Sequence, residues 1–160
     1  MIKDILRALQ DDARATPQKI SAMTGVPEED VVKVIAEAEK NRTILKYKTL
    51  INWEKAENEH VWALIEVKVT PQKDVGFDAI AERIYRFPQT QSVYLISGSY
   101  DLFVLILGKS NREIADFVSQ KLSHIDGVHE TVTQFVLKRY KEDGEIIEGK
   151  EEVKRQPVVL

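Results

Sequence analysis

The chain has 160 residues, of which 43% are hydrophobic and 31% charged, a mix typical of a globular protein with one or two small domains. It contains no cysteine, which excludes disulfides, thiolate metal sites and thiol catalysis. No apolar run approaches the roughly 20 residues that span a bilayer, and the first residues lack the pattern of a signal peptide. We therefore expect a cytoplasmic protein with no membrane partner.

Charge is unevenly distributed along the chain, which has a net charge of −3. Residues 1–52 carry nine Lys and Arg against eight Asp and Glu, residues 53–140 carry ten against twelve, and residues 141–160 carry four against six. Nucleic-acid binding depends on neutralising phosphates. The N-terminal third is the least acidic part of the chain, although it is not a basic patch.

Two short helices are predicted first. The first has an apolar stripe at i, i+3, i+4 and i+7, made of Ile2, Ile5, Leu6 and Leu9. Thr16 and Pro17 are typical of the cap and first residue of a second helix, which Gly25 ends. Ile20 and Met23 are expected to face inward from it.

A third helix begins with acidic residues, which the helix dipole favours at that end, and its buried stripe is predicted to be Val31, Val34, Ile35 and Ala38. A short helix, a glycine turn and a longer helix form a helix-turn-helix. The β-prone segment 44–53 predicts a strand, which would complete a winged helix-turn-helix domain over residues 1–52. Residues 53–60 are polar and are interpreted as a linker.

Residues 61–140 split into two similar halves with the order βαββαβ, the ferredoxin-like plan. Strands are predicted at 61–69, 92–97, 102–107 and 130–140, and helices at 77–84 and 114–125, with a hairpin turn at 98–101. The fold class is therefore α+β. The charged extension 141–160 predicts either a hairpin that turns at Asp143 and Gly144 or an exposed tail.

The strand at 102–107 is apolar at every position. In a ferredoxin-like sheet the helices cover one face, so a strand with two apolar faces needs a second cover. A second copy of the sheet is the simplest cover. We therefore expect a homodimer.

Several motifs together resemble the Lrp/AsnC (feast/famine) family of bacterial and archaeal regulators, from about residue 2 to residue 140. The matching segments are the end of the first helix (9–14), the second helix and its turn (20–26), Val31, Ile35, Glu39 and Ile44, and the hairpin Gly98-Ser99-Tyr100-Asp101. The resemblance implies binding of double-stranded DNA by the N-terminal domain and a response to an amino acid or a related metabolite. It also implies homodimers that assemble further, commonly into octamers, with effectors bound between sensor domains near the hairpin.

The third helix departs from the family pattern. The family usually carries two or three arginines there, whereas this chain keeps only Lys33, and Arg42 stands where relatives usually place a glycine. Acidic residues at 28–30 occupy the end of the helix that normally contacts bases. These departures are also consistent with a second hypothesis for the function, in which the chain is a sensor or assembly protein whose DNA-binding domain is degenerate.

Two groups of residues are the candidate sites. The candidate phosphate contacts are Arg14, Lys19, Lys33, Lys40 and Arg42. The candidate effector site is Gly98, Ser99, Tyr100 and Asp101. An aspartate suits an ammonium group and glycine amides suit a carboxylate, although a plain turn favours the same residues.

No catalytic residues, metal site or cofactor are predicted. The histidines, His60, His124 and His129, lack the spacing of a metal pair on a helix, and no nucleophile motif or phosphate loop is present. Siroheme decarboxylases share this two-domain architecture and use histidine. That enzyme alternative is the least favoured, because the sequence shows no obvious basic and aromatic cavity for a tetrapyrrole.

Overall fold

The computed structural model describes residues 1–56, 60–70, 73 and 76–148. The chain divides into two compact units, Met1–Ile51 and Asn52–Leu160. Part of the predicted linker (57–59) and the end of the C-terminal extension (149–160) lie outside the described residues. In the described part, no helix is both long enough and apolar enough to cross a membrane.

The N-terminal unit consists of three helices around one core. Their bounds are α1 Ile2–Asp11, α2 Pro17–Thr24 and α3 Glu28–Lys40. The buried apolar side chains of this core are Ile5, Ala8, Leu9, Ile20, Val26 and Val31. The Thr16 hydroxyl accepts a hydrogen bond from the Lys19 N–H at 3.2 Å and caps α2, and Gly25 ends it with a left-handed φ of 72°. These local signals were predicted correctly.

Two predictions for this unit are wrong. Met23 does not face inward, because its side chain is 62% exposed. The segment 44–53 forms no strand. A β-prone segment becomes a strand when a neighbour accepts and donates its backbone hydrogen bonds, and no strand lies among the described residues of this unit. Tyr47 is instead tied to α3, where its hydroxyl donates to a Glu39 carboxylate oxygen at 2.7 Å.

The C-terminal unit is a four-stranded antiparallel sheet with two helices, in the predicted order. The elements are β1 Val61–Val69, α4 Gly76–Tyr85, β2 Thr90–Leu95, β3 Leu102–Gly108, α5 Asn111–Gln120, a 3₁₀ turn Leu122–His124 and β4 Val128–Phe135. The strand order is β2-β3-β1-β4. Both helices pack on the same face of the sheet, since Ile80, Ile84, Ile114 and Phe117 share one core with the inward residues of β1 and β3. This is the ferredoxin-like arrangement.

The ends of β4 and β2 differ from the predicted ones. β4 runs from 128 to 135 rather than from 130 to 140, because its partner β1 pairs with it between Val69↔Val128 and Ala63↔Phe135. β2 is shifted two residues toward the N-terminus. The extension forms the predicted hairpin, with β5 Lys141–Glu142 and β6 Glu145–Ile146 around a turn in which both Asp143 and Gly144 have positive φ.

The sheet face opposite the helices, here called the outer face, is apolar along β3 and only partly covered. Along β3, Leu102, Val104 and Ile106 are buried in the core, while the alternate residues are partly exposed. Those outer-face residues and their β1 partners are Phe103 with Glu66, Leu105 with Leu64, and Leu107 with Trp62. The strand is therefore apolar on both faces, as the sequence predicts.

Candidate functional site

The candidate phosphate contacts Lys33 and Lys40 lie on the solvent side of α3. They are seven residues apart, two helical turns, and so share one face, while Val31 and Ala38 bury the opposite face. The Lys33 ammonium lies 3.6 Å from an Asp30 carboxylate oxygen. At the centre of the candidate DNA-facing surface of α3, the positive charge of Lys33 is therefore paired with the negative charge of Asp30.

Lys19 and Arg14 converge on one carboxylate. The Lys19 ammonium lies 2.7 Å from Asp12 Oδ2, and the backbone N–H of Arg14 donates to Asp12 Oδ1 at 2.9 Å. These hydrogen bonds, that of Lys19 above all, hold the pKa of Asp12 below its usual value of 3.8. The Asp12 carboxylate offsets the charge of Lys19.

Arg42 ends α3 in a left-handed conformation, with a φ of 63°. Its N–H donates to the Glu39 carbonyl at 3.2 Å, and the Ile44 N–H donates back to the Ala38 carbonyl at 2.9 Å. This is the usual wrap around a helix C-terminus, where the left-handed position is normally glycine. The side chain of Arg42 is exposed.

The candidate effector residues Gly98–Asp101 lie in the loop that joins β2 to β3. Asp101 holds this loop in place with three hydrogen bonds. The Asp101 backbone N–H donates to the Val67 carbonyl at 3.1 Å, its carbonyl accepts from the Ile96 N–H at 2.9 Å, and its Oδ2 accepts from the Val69 N–H at 2.9 Å. The carboxylate therefore stabilises the loop against β1, a role that the sequence alone does not predict. One carboxylate oxygen, Oδ1, is not used by these bonds.

Tyr100 ties the same loop to β4. Its hydroxyl donates to Glu130 Oε1 at 2.9 Å. This hydrogen bond is the main cause that raises the pKa of Tyr100 above 10.0, with partial desolvation and the nearby Glu130 and Glu66 charges adding to it. The loop is thus held from two sides.

Gly98 and Ser99 form the exposed tip of the loop. The φ of Gly98 is not in the left-handed region, and a Cβ built on it would meet no atom within 4 Å. Gly98 is therefore not required by the turn, and space next to its backbone is open to a ligand.

Sequence reasoning missed one further cavity in the C-terminal unit. Trp53, His60, Trp62 and Arg139 are among its lining residues, and the rings of Trp53 and His60 are 6.0 Å apart between centres. The sole sequence signal is that both tryptophans of the chain lie within ten residues of each other. In the described part of the chain, no group of three or more His, Asp or Glu side chains could hold a metal ion.

Solved proteins share this fold. A transcriptional regulator from Neisseria meningitidis, crystallised as a complex with L-Met, matches with a TM-score of 0.70 and 23% identity over 88% of this chain and 90% of that one. The leucine response regulatory protein of Mycobacterium tuberculosis matches with a TM-score of 0.75 and 19% identity over 92% and 97% of the two chains. The chain therefore has the fold of these two proteins.

Sequence similarity takes the assignment further. Residues 62–146 match the Lrp/AsnC ligand binding domain. The HTH-type transcriptional regulator YugG of Bacillus subtilis is 47% identical over 153 residues, which cover 95% of this chain and 92% of that protein. The chain belongs to the Lrp/AsnC family of transcriptional regulators. Since this family consists of regulators, the decarboxylase alternative falls away.

Proposed function

We propose that this regulator acts in the cytoplasm, binds double-stranded DNA with residues 1–52 and senses an amino acid with residues 61–140. The effector binds at the loop Gly98–Asp101, and the DNA contacts come from the exposed cations Arg14, Lys19, Lys33, Lys40 and Arg42. The working form is a homodimer that assembles further, to an octamer.

The observation that carries the effector assignment is the geometry of the loop. Asp101 is fixed by three hydrogen bonds, yet its Oδ1 is left to accept from an ammonium group. Gly98, a few residues away, offers a backbone with open space beside it, which suits a carboxylate. A zwitterion needs both, so an amino acid fits the loop. Two proteins of this fold point the same way: one is crystallised with L-Met and one is named for its response to leucine.

The test of this site is a thermal-shift screen of the twenty amino acids and the common keto acids, repeated on two variants. Asp101→Asn keeps an amide oxygen for the Val69 N–H but removes the charge, so it should weaken the hit by about tenfold to a hundredfold. Gly98→Ala places a Cβ in this open space, where it meets no atom within 4 Å, and should weaken it as well. Asp126→Asn is the matched control, because Asp126 is an exposed carboxylate in a different turn. Full-strength binding to Asp101→Asn would place the effector elsewhere.

The homodimer is proposed on the outer face. Leu105 is apolar, partly exposed and central to that face, and a second sheet would remove it from water. Leu105→Glu would bury a carboxylate in the interface, which costs several kcal/mol, so light scattering should show a folded monomer. Val104→Glu enters the core and should unfold the chain. Tyr85→Glu, at the end of α4 on the helix-covered side, should leave the dimer intact. A wild-type monomer at micromolar concentration would contradict the proposal.

DNA binding is tested by selecting bound fragments from a random pool. A dimer should recover a palindromic site, with affinity that falls steeply as salt rises. Lys33→Ala with Arg42→Ala should flatten the salt dependence by up to about two units. Failure to bind any fragment at low salt would favour the second candidate, a sensor with a degenerate DNA-binding domain. The ion pair between Lys33 and Asp30 on the exposed side of α3 is the observation behind that candidate.

A further inference from the structure

The segment 40–48 carries the densest positive charge of the chain. It contains Lys40, Arg42, Lys46 and Lys48 and no acidic residue, and no other nine consecutive residues have a net charge as high as its +4. It begins at the last residue of α3 and lies within the N-terminal unit. Lys46 and Lys48 fall in the predicted strand of that unit and are not among the proposed DNA contacts.

These four cations have no acidic partner. In the part of the chain that the structure describes, no carboxylate oxygen lies within 4.0 Å of any of them. By contrast, the ammonium of Lys19 is paired with Asp12 and that of Lys33 with Asp30. A cation without a partner is the more available to a phosphate, because no existing ion pair has to be broken.

The backbone that carries these cations is tied to α3. The Ile44 N–H donates to the Ala38 carbonyl at 2.9 Å, and the Ile44 side chain packs against the core of the N-terminal unit. The Tyr47 hydroxyl donates to a Glu39 carboxylate oxygen at 2.7 Å, which occupies the acidic group that directly precedes the segment. Less conformational freedom is lost on binding when the contacts extend from a backbone that is already held.

An open groove beside the segment adds uncharged hydrogen-bonding groups. The groove has a volume of about 420 Å³ and lies between residues 43–48 and α1. Lys46 and Lys48 line it together with Gln10 and Thr43, and none of the described residues that line it is acidic. Amide and hydroxyl side chains are common phosphate contacts in DNA complexes. The groove therefore presents two cations and two neutral polar groups to an anion.

The other end of α3 has the opposite charge. Glu28, Glu29 and Asp30 occupy its first turn. Carboxylates repel phosphates, although they can accept a hydrogen bond from cytosine. Since α3 has 13 residues, its two ends are roughly 18 Å apart. Phosphates are therefore attracted to the end of the helix where the segment 40–48 begins.

We propose that the segment 40–48 binds the phosphate backbone of double-stranded DNA, with Lys46 and Lys48 as phosphate contacts beside Lys40 and Arg42. This contact rests on the proposed DNA binding and identifies the surface of the N-terminal unit that supplies most of its charge. Phosphate contacts position a protein on the duplex and do not read the base sequence.

Binding of the full chain to a short fluorescent duplex is measured by anisotropy, from low to physiological salt. Lys46→Gln with Lys48→Gln removes two phosphate contacts, so the slope of log affinity against log salt should fall by about two units. Lys46→Arg with Lys48→Arg keeps both charges and should keep the slope. Lys109→Gln with Lys121→Gln is the matched control, because it removes the same charge from exposed positions in the C-terminal unit and should leave the slope unchanged.

Two further measurements separate a phosphate contact from other roles of these lysines. The glutamine variant should lose the same factor of affinity for a selected site and for a scrambled duplex, because both have the same phosphates. A loss confined to the selected site would overturn the inference, since the lysines would then read bases. Light scattering should show the wild-type assembly, and a smaller assembly would also overturn it, since the segment would then be a contact between copies.

The outcomes separate this contact from the proposed DNA binding as a whole. If the wild type binds the duplex and Lys46→Gln with Lys48→Gln has the same slope, only the phosphate contact of these lysines is overturned. If the wild type binds no duplex at low salt, the proposed DNA binding is overturned, and the phosphate contact with it.

Discussion

Arg42 holds the end of α3 in a backbone conformation that an arginine disfavours, and replacing it with glycine should stabilise the N-terminal unit. A residue with a Cβ pays about 1–2 kcal/mol in the left-handed region, where the φ of Arg42 is 63°. Glycine relieves this strain. It also raises the conformational entropy of the unfolded chain, which lowers the free energy of unfolding by about 0.4–1 kcal/mol. The net expectation is an increase of about 1 kcal/mol in the free energy of unfolding. No buried contact is lost, because the side chain is exposed.

The assay compares Arg42→Gly with Arg42→Ala by thermal and urea unfolding. Both variants lose the charge, but alanine keeps the Cβ, so only the glycine variant should be more stable than the wild type. A gain of about 1 kcal/mol corresponds to an increase of roughly 4–8 °C in Tm for a small domain. If Arg42 contacts a phosphate, both variants should lose DNA affinity equally, and the salt dependence should fall by about one unit. Stability and DNA binding then move in opposite directions for the glycine variant. Equal stability of the two variants would refute the reasoning about strain.

Asp12, Tyr100 and Gly127 each make a contact whose alteration should have a measurable effect. Asp12→Asn removes the ion pair of Lys19, while the amide oxygen still accepts from the Arg14 N–H. The DNA affinity at low salt should therefore rise severalfold. An unchanged affinity in a binding assay would mean that Lys19 does not face DNA. The pKa of Tyr100 is raised above 10.0 by its hydrogen bond to Glu130, so its contribution to stability is present below pH 10 and is lost as the pH rises through the folded-state value. Tyr100→Phe should therefore lose stability less steeply between pH 10 and the folded-state pKa of Tyr100 in urea titrations, and identical slopes in that interval would contradict the assignment. Gly127→Ala should destabilise the C-terminal unit by about 2–4 kcal/mol, because φ is 93° and a Cβ would lie 2.8 Å from an Ile80 methyl group; a wild-type Tm would contradict it.

Elements set by local signals were predicted well from the sequence. The cap at Thr16 and the stop at Gly25 act within a few residues of each other, and the structure has them at those positions. The apolar stripes of the helices are also buried as predicted, except that Ile2 and Met23 are exposed. The order of the strands in the C-terminal unit also follows from alternation and turn residues. Membership of the family rests on the same patterns, which comparison with relatives confirms.

Features that depend on pairing between distant segments were predicted less well. Segment 44–53 has the composition of a strand but no neighbouring strand in its unit to complete the ladder. β4 ends at Phe135 rather than Tyr140 because its pairing with β1 ends at Ala63↔Phe135. β-propensity describes side chains that suit a sheet, and the hydrogen-bonded neighbour determines whether and where the strand forms.

The same division applies to the candidate sites. The residues Gly98–Asp101 stand out in the sequence as a turn, and the exposed cations of the N-terminal unit can be named from composition and periodicity. The sequence does not reveal that Asp101 accepts from Val69 or that Lys19 is neutralised by Asp12. It also does not reveal that Arg139 lies on Trp62 beside Trp53. Chain periodicity reports which face of an element is buried, whereas a hydrogen bond or a cavity depends on atoms that the packed fold brings together from distant positions.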